Sequence, residues 1–344
     1  MTRTFIVAPQ WIGDAVMTDP LLALLAARGQ QLTVAALPWV APVYRAMPQV
    51  GEVIEMNFAR GRLQWAERRA FAETLRGRFD AAYVLPNSLK SALIPWMAGI
   101  PLRVGYRGEA RWLLLNRMRP NVRGRPEMVP FYAALADSDM SAPAPVTPNP
   151  RLSIPLDEAA AIVTAQGLEG RRYWAFAPGA EFGPAKRWPA HHFGALARRL
   201  HAETGEPVLL MGSGKDVPVC ETIARMAPGA CRILAGKTSL REAMALLQQA
   251  AGIVSNDSGL MHVGAAFGVP QVAVFGSSSP LHTPPLNSRA RIIWLKDEIG
   301  LDCAPCFARE CRYGHTRCLE EITPGRVHEA LQAAMAQAAS ATLP

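Results

Sequence analysis

The chain of 344 residues is half apolar and only 19% charged, which excludes a disordered protein and, at this length, predicts two cores of roughly 150 residues each. No stretch nears the roughly 18 consecutive apolar residues of a membrane-spanning helix, and the opening MTRTFIVAPQWIGD reads as a first strand without a small-residue cleavage site, so a cytoplasmic chain, mature as written, is expected. The formal charge of +8 is concentrated: residues 60–125 hold fourteen Arg or Lys against Glu67, Glu73, Asp80 and Glu109, which points to an anionic partner (nucleic acid, a phosphorylated ligand or a membrane surface) or else to a solvated Arg-rich face.

Apolar runs alternate with helical patterns from the start. TFIVAP predicts a strand, residues 13–28 a helix, LTVAAL a strand and residues 40–47 a helix, the rhythm of βαβ units. AAYVLP (81–86) and residues 102–105 add two strands. Five prolines between residues 138 and 155, without apolar periodicity, predict an extended linker. The second half repeats the pattern with YWAFAP, a helix over 191–204, PVLLMG, helices over 217–226 and 240–250, then GIVSND and QVAVFG. Apolar, β-branched strands bounded by Gly and Pro predict parallel sheets covered on both faces. The expected fold is therefore α/β: two doubly wound, Rossmann-like domains over residues 1–155 and 156–322, facing across a cleft. A last helix, from 324 to about 339 within the tail 323–344, is free to pack on either domain.

Candidate chemistry lies in the loops that follow the strands, where doubly wound folds place their ligands. PQWIGDAVMTDP (9–20) puts Gly13 and Asp14 after the first strand. It lacks GxGxxG, which speaks against a nicotinamide or flavin. Asp14 suits a general base, and it equally suits a helix N-cap. GAEFGPAKRW (179–188) joins a strand to a helix: Gly179 and Gly183 permit close backbone approach, the helix start favours an anion, and Lys186 adds a mobile charge for a diphosphate. The plainer reading is a loop with an exposed lysine. SNDSGLMHVGAAFGVP (255–270) repeats that arrangement. Asp257 there is an acceptor for sugar hydroxyls or for helix N–H groups, and Ser258 and Gly259 offer donors to a phosphate. His262, one turn into the following helix, reads by itself as a satisfied buried histidine. MGSGKD, with Ser213, and FGSSSP close two further strands, adding weak phosphate or ribose signals.

Cys303, Cys306, Cys311 and Cys318 crowd the tail around His315. The C-x2-C start has a metal-like spacing, but the gaps of four and six that follow match no zinc pattern, and reduced thiols or disulfides stay open beside a metal.

Taken together, PQWIGD, YVLPNSLKSALIP, RVGYRGEAR, PGAEFGPAKRWP, NDSGLMHV and GSSSPLHTPPL resemble the heptosyltransferases of glycosyltransferase family nine, from Phe5 to about Leu286, with AEFGPAKRWP close to the type II members. The resemblance implies a GT-B fold and an inverting transfer that uses no metal and no other cofactor. The implied donor is ADP-L-glycero-D-manno-heptose, and the implied acceptor is the first heptose of the lipid A-linked lipopolysaccharide inner core, met at the cytoplasmic face of the inner membrane. By motif match, Asp14 is the base, and Lys186 steadies the diphosphate. Asp257, Ser258, Gly259 and His262 contact donor phosphate and sugar, with Gly179, Gly183 and Ser213 in the same donor site. Asn87, Ser88, Lys90, Arg107 and Glu109 contact the acceptor. A sibling transferase or an epimerase of like architecture is the enzymatic alternative. A nucleic-acid-binding protein using residues 60–125 is the non-enzymatic one, although no recognised nucleic-acid module accompanies that charge.

Overall fold

The computed structural model describes residues 1–59 and 62–340; Arg60, the first of the basic stretch, and the last four residues of the expected tail lie outside them. The chain divides between Ser153 and Ile154 into two compact units. The first holds a six-stranded parallel sheet of β1 (Thr2–Val7), β2 (Gln30–Ala36), β3 (Val50–Glu55), β4 (Ala81–Val84), β5 (Leu102–Tyr106) and β6 (Arg117–Arg119), in the order β3-β2-β1-β4-β5-β6. The second holds β7 (Trp174–Ala177), β8 (Val208–Leu210), β9 (Cys231–Ile233), β10 (Gly252–Asn256), β11 (Gln271–Phe275) and β12 (Ala290–Trp294), in the order β12-β11-β10-β7-β8-β9. Numbered from its own first strand, the second sheet repeats the order of the first. In each, the chain starts in the middle, winds outward one way, and returns to wind the other way. The strand order therefore reverses between β1 and β4 and between β10 and β7.

The central strands explain the apolar runs. Every residue of β4, β7, β10 and β11 is buried, because helices cover both faces of a parallel sheet. The strands absent from the sequence expectation, β3, β6, β9 and β12, are the four sheet edges. An edge strand has one paired side and incomplete cover, so it need not be apolar throughout, as the half-exposed VGEVIE of β3 shows.

The helix expected over 13–28 is two helices, Ile12–Met17 and Asp19–Ala27. Pro20, at the second position of the latter, has no N–H to bond back, and the Thr18 hydroxyl donates to the Ala15 carbonyl at 2.6 Å. The Pro-rich stretch 138–155 has neither helix nor strand, yet its end is pinned to the first unit: Arg151 N–H donates to Asp19 at 2.9 Å and Ser153 N–H to the Ala46 carbonyl at 2.8 Å. The last helix, Pro324–Ser340, packs on the second sheet against β10, β11 and β12, with Val327, Leu331 and Ala334 buried. Of the two packings the sequence left open, this is the one within the second unit.

The basic stretch is not one patch. Arg68 and Arg111 are buried, and Arg68, Arg103, Arg111 and Arg119 each donate to main-chain carbonyls of neighbouring loops. Arg62, Arg107, Arg117, Arg123 and Arg125 are exposed, as are Arg69, Arg76 and Arg78, which pair with Glu73 or Glu52.

Gly264, in the helix Gly259–Ala266, tests the packing of that helix on β10. A Cβ there would lie 2.5 Å from Ile253 Cδ1 and 3.1 Å from Gln271 Oε1. Gly264→Ala is expected to cost about 1–3 kcal/mol by overpacking, offset only slightly by helix propensity. Denaturant unfolding checks this, and an unchanged or raised midpoint contradicts it.

Candidate active site

In the second unit the reversal between β7 and β10 brings two loops together. Asn256, fully buried at the end of β10, receives the Trp188 N–H at 2.9 Å on Oδ1 and donates through Nδ2 to the Pro178 carbonyl at 2.7 Å. One amide thus holds the first and last residues of the loop that carries Lys186. Trp188 completes the anchor: its indole N–H reaches the Ile322 carbonyl at 2.9 Å, and its ring packs edge-on against Phe193. Lys186 ends a single 3-10 turn, Pro184–Lys186, and its Nζ stands 2.5 Å from Asp257 Oδ2. The two side chains are 18% and 5% exposed. Thr283 donates to the other Asp257 oxygen at 3.4 Å. Lys186 also lies over the Phe182 ring, which faces Arg309 as well.

Ser258 is the N-cap of the helix Gly259–Ala266 in extended conformation, but its side chain makes no capping bond. Its hydroxyl and those of Ser277 and Ser278, after β11, are buried with no hydrogen-bond partner among the described residues. Hydroxyl donors, the open first turn of a helix and a lysine, all following the ends of the neighbouring strands β7, β10 and β11, are the makings of a phosphate site. His262 lies behind it. Burial pushes its imidazole down to about 4, with Asp257 opposing and Lys186 adding to the shift. The ring is neutral at pH 7, a hydrogen-bonding group and not a reservoir of charge.

Three of the expected residues, Gly179, Gly183 and Ser213, are also engaged by neighbouring protein groups. A Cβ on Gly179 would strike the Asp216 carboxylate, and one on Gly183 would lie 2.5 Å from the Arg309 carbonyl. Their missing side chains make room for neighbouring protein segments, where the sequence suggested room for a ligand. Ser213 is occupied in a capping box with Asp216, its hydroxyl donating to Oδ2 at 2.9 Å. A groove of about 480 Å³ along β9, between Gln166, Ala224, Arg232 and Lys237, contains none of the expected residues.

In the first unit the reversal lies between β1 and β4, and the expected residues gather there. Asp14 is in the first turn of the helix Ile12–Met17, whose N-cap is Trp11, so capping does not explain it. Tyr132 Oη stands 3.4 Å from Asp14 Oδ1. Burial, then the nearby Asp14 charge, holds the Tyr132 phenol far above its usual range, so it stays a donor. After β4, Ser88 precedes the helix Leu89–Met97, and Glu109 accepts the Leu89 N–H at 2.7 Å. Arg111 locks this corner, bonding Asn87 Oδ1 at 2.9 Å and the Pro86 and Tyr106 carbonyls at 2.6 Å. Burial lowers its guanidinium to about 10. Asn87, Ser88 and Glu109 are thereby brought together, Lys90 is half-buried at the second position of the helix, and Arg107 is exposed. Sequence reasoning passed over Asn256, Thr283, Tyr132 and Arg111. Asn256, Arg111 and Thr283 stood inside quoted motifs, the first two close to residues chosen there, whereas Tyr132 had no local signal.

The two parallel six-stranded sheets define a GT-B type α/β protein. A sequence profile of glycosyltransferase family 9 (heptosyltransferase) matches residues 68–317. The chain is 41% identical to lipopolysaccharide heptosyltransferase 2 of Escherichia coli K12, over 97% of this chain and 99% of that one. It is 39% identical to lipooligosaccharide heptosyltransferase 2 of Haemophilus influenzae, over 96% and 99%. The solved structure of the E. coli ADP-heptose LPS heptosyltransferase II superposes with a TM-score of 0.86 at 40% identity, covering 98% of this chain and 99% of that one. The chain belongs to glycosyltransferase family 9 and is a heptosyltransferase.

The buried His262 gives a pH signature. Its folded pKa lies below the unfolded value of about 6.5, so its contribution to stability is complete above that pH and is lost as pH falls toward 4, about 3 kcal/mol in all. Unfolding of wild type and His262→Gln across pH 7 to 4 should show a shallower fall for the variant. Parallel curves contradict the assignment.

Proposed function

We propose that the chain transfers L-glycero-D-manno-heptose from ADP-heptose to the first heptose of the lipopolysaccharide inner core, with inversion at the anomeric carbon. The observation that carries this reading is the Lys186–Asp257 pair at 2.5 Å, set beside the uncommitted Ser258 hydroxyl and the start of the helix Gly259–Ala266. A diphosphate placed there meets a cation, a helix N-terminus and hydroxyl donors, all aimed where negative charge grows as the glycosidic bond breaks. Asp257 and neutral His262 face the sugar and phosphate as acceptor and donor, beside Gly259.

The reaction has one bond forming and one breaking. An acceptor hydroxyl oxygen attacks the anomeric carbon, the bond to the ADP oxygen breaks, and ADP leaves with that electron pair. Asp14 takes the hydroxyl proton, and Tyr132 orients its carboxylate. Lys186 and the helix donors neutralise the leaving diphosphate, so the residues named supply both demands of the step without a metal. On the acceptor side, Lys90 and Arg107 offer charge to core phosphates or carboxylates, while Asn87, Ser88 and Glu109 shape the loop that presents them. The acceptor's lipid anchor places the reaction at the cytoplasmic face of the inner membrane, and among the described residues no helix is long and apolar enough to cross it.

The acceptor assignment is tested by supplying ADP-heptose with a lipid A core ending in one heptose or with a core lacking heptose. ADP release with the first alone is expected; release only with the second makes the chain a sibling transferase. Asp14→Asn should lower kcat by about 10²-fold or more while leaving ADP affinity within a few-fold; a near-normal rate removes Asp14 from the base role. Lys186→Ala should weaken ADP binding by about tenfold or more, measured by calorimetry on protein whose melting is recorded alongside. Unaltered ADP affinity counts against the diphosphate site.

A further inference from the structure

A second cation stands at the Lys186 loop, on a segment from much later in the chain. Residues 307–309 belong to the tail whose Cys303, Cys306, Cys311 and Cys318 are unbridged, and the backbone joins them to the phosphate site. Ala185 N–H donates to the Arg309 carbonyl at 3.0 Å, Ser277 N–H to the Ala185 carbonyl at 3.3 Å, and Phe307 N–H to the Ser277 carbonyl at 2.7 Å. Three segments distant in sequence are thus tied in a ring beside the unpartnered hydroxyls of Ser277 and Ser278. The contact is close, since a Cβ on Gly183 would lie 2.5 Å from the Arg309 carbonyl oxygen.

The Arg309 side chain is exposed. Its guanidinium carbon sits 5.6 Å from the centroid of the Phe182 ring, which Lys186 Nζ meets at 5.2 Å. The two cations are not matched alike. Lys186 has Asp257 at 2.5 Å, and Glu181, next to Phe182, is taken by Lys215 at 2.6 Å. Arg309 makes no ion pair and no side-chain hydrogen bond among the described residues. A ring face is a weak partner for an exposed cation, and two like charges gathered at one ring repel. An anion set between them removes both defects.

We propose that Arg309 is a second cation of the donor site and, with the diphosphate of the sugar nucleotide seated at Lys186 as under the proposed function, binds that diphosphate together with Lys186. A guanidinium offers phosphate oxygens a planar fork of donors, where an ammonium offers a point charge. When the glycosidic bond breaks, ADP carries one more negative charge than it did within the sugar nucleotide. Lys186 shares its charge with Asp257, whereas Arg309 has no carboxylate to share with and meets the extra charge in full. Phe182 holds the guanidinium near the site before the ligand arrives, so less rotamer freedom is lost on binding.

The test is ADP binding to the full chain by calorimetry, at low and high salt, with melting recorded for every variant. Arg309→Met keeps an apolar stem against Phe182 and should weaken ADP by about tenfold or more, with a flatter salt dependence. Arg309→Gln is the second neutral variant and should behave alike. Arg309→Lys restores the charge without the fork and should bind ADP to within about threefold of wild type. Adenosine, which has no phosphate, should bind wild type and variants equally. Lys186→Ala separates the two assignments. If it weakens ADP while Arg309→Met stays within about twofold of wild type, the donor site stands and Arg309 is no part of it. If Lys186→Ala leaves ADP affinity unchanged, the diphosphate is not at this loop and both assignments fall. Equal losses in Arg309→Met and Arg309→Lys, or equal losses of ADP and adenosine, make Arg309 a packing residue and overturn the proposal.

Discussion

The functional part of the second unit depends on one buried amide. A parallel sheet whose order reverses between β10 and β7 sends two adjacent loops off in opposite directions, and nothing in the sheet itself sets their spacing beyond the last paired residues. Asn256 does so by accepting from Trp188 and donating to Pro178. With both bonds made in a dry site, the loop has one geometry, because either partner left alone would be a buried polar group without water. Lys186 is then held where it can meet Asp257, and the start of the next helix stands beside both.

The Lys186–Asp257 pair is itself nearly buried, which makes it a poor source of stability and a good source of order. Removing two charges from water offsets most of their attraction, while removing one partner leaves the other uncompensated. Such a pair makes sense where a third charge is to come. In the function proposed above, a diphosphate would add negative charge beside Lys186 and find donors already aimed, so that little reorganisation would remain as charge develops on the leaving group. The neutral His262 behind the pair fits the same logic, since a second cation there would compete with Lys186 for Asp257.

In the first unit a buried guanidinium plays the part that the amide plays in the second. Arg111 ties the loop after β4 to the end of β5 through Pro86, Asn87 and Tyr106. Several arginines that look in the sequence like a field for anions are consumed in this way. Guanidinium has five donors in a plane and serves two or three carbonyls at once, which suits a unit whose loops are longer than its strands. The exposed remainder, including Arg107, is smaller than the count of charges suggests.

The sequence by itself determined the two α/β units, the central strands and the loops that carry the chemistry, because a strand buried on both faces must be apolar throughout and must end in a turn. It also placed Asp14, Lys186, Asp257 and Ser258 in segments that directly follow strands, for the same reason. Tertiary structure decided the rest. The edge strands β3, β6, β9 and β12 depend on pairing with a single neighbour, and most of their residues are only partly buried. Gly179 and Gly183 are small on account of Asp216 and Arg309, residues distant in the chain. Tyr132 reaches Asp14 across 118 positions, and Arg309 reaches Phe182 from the tail. Contacts between residues far apart in sequence leave no local periodicity, so only the folded chain discloses them.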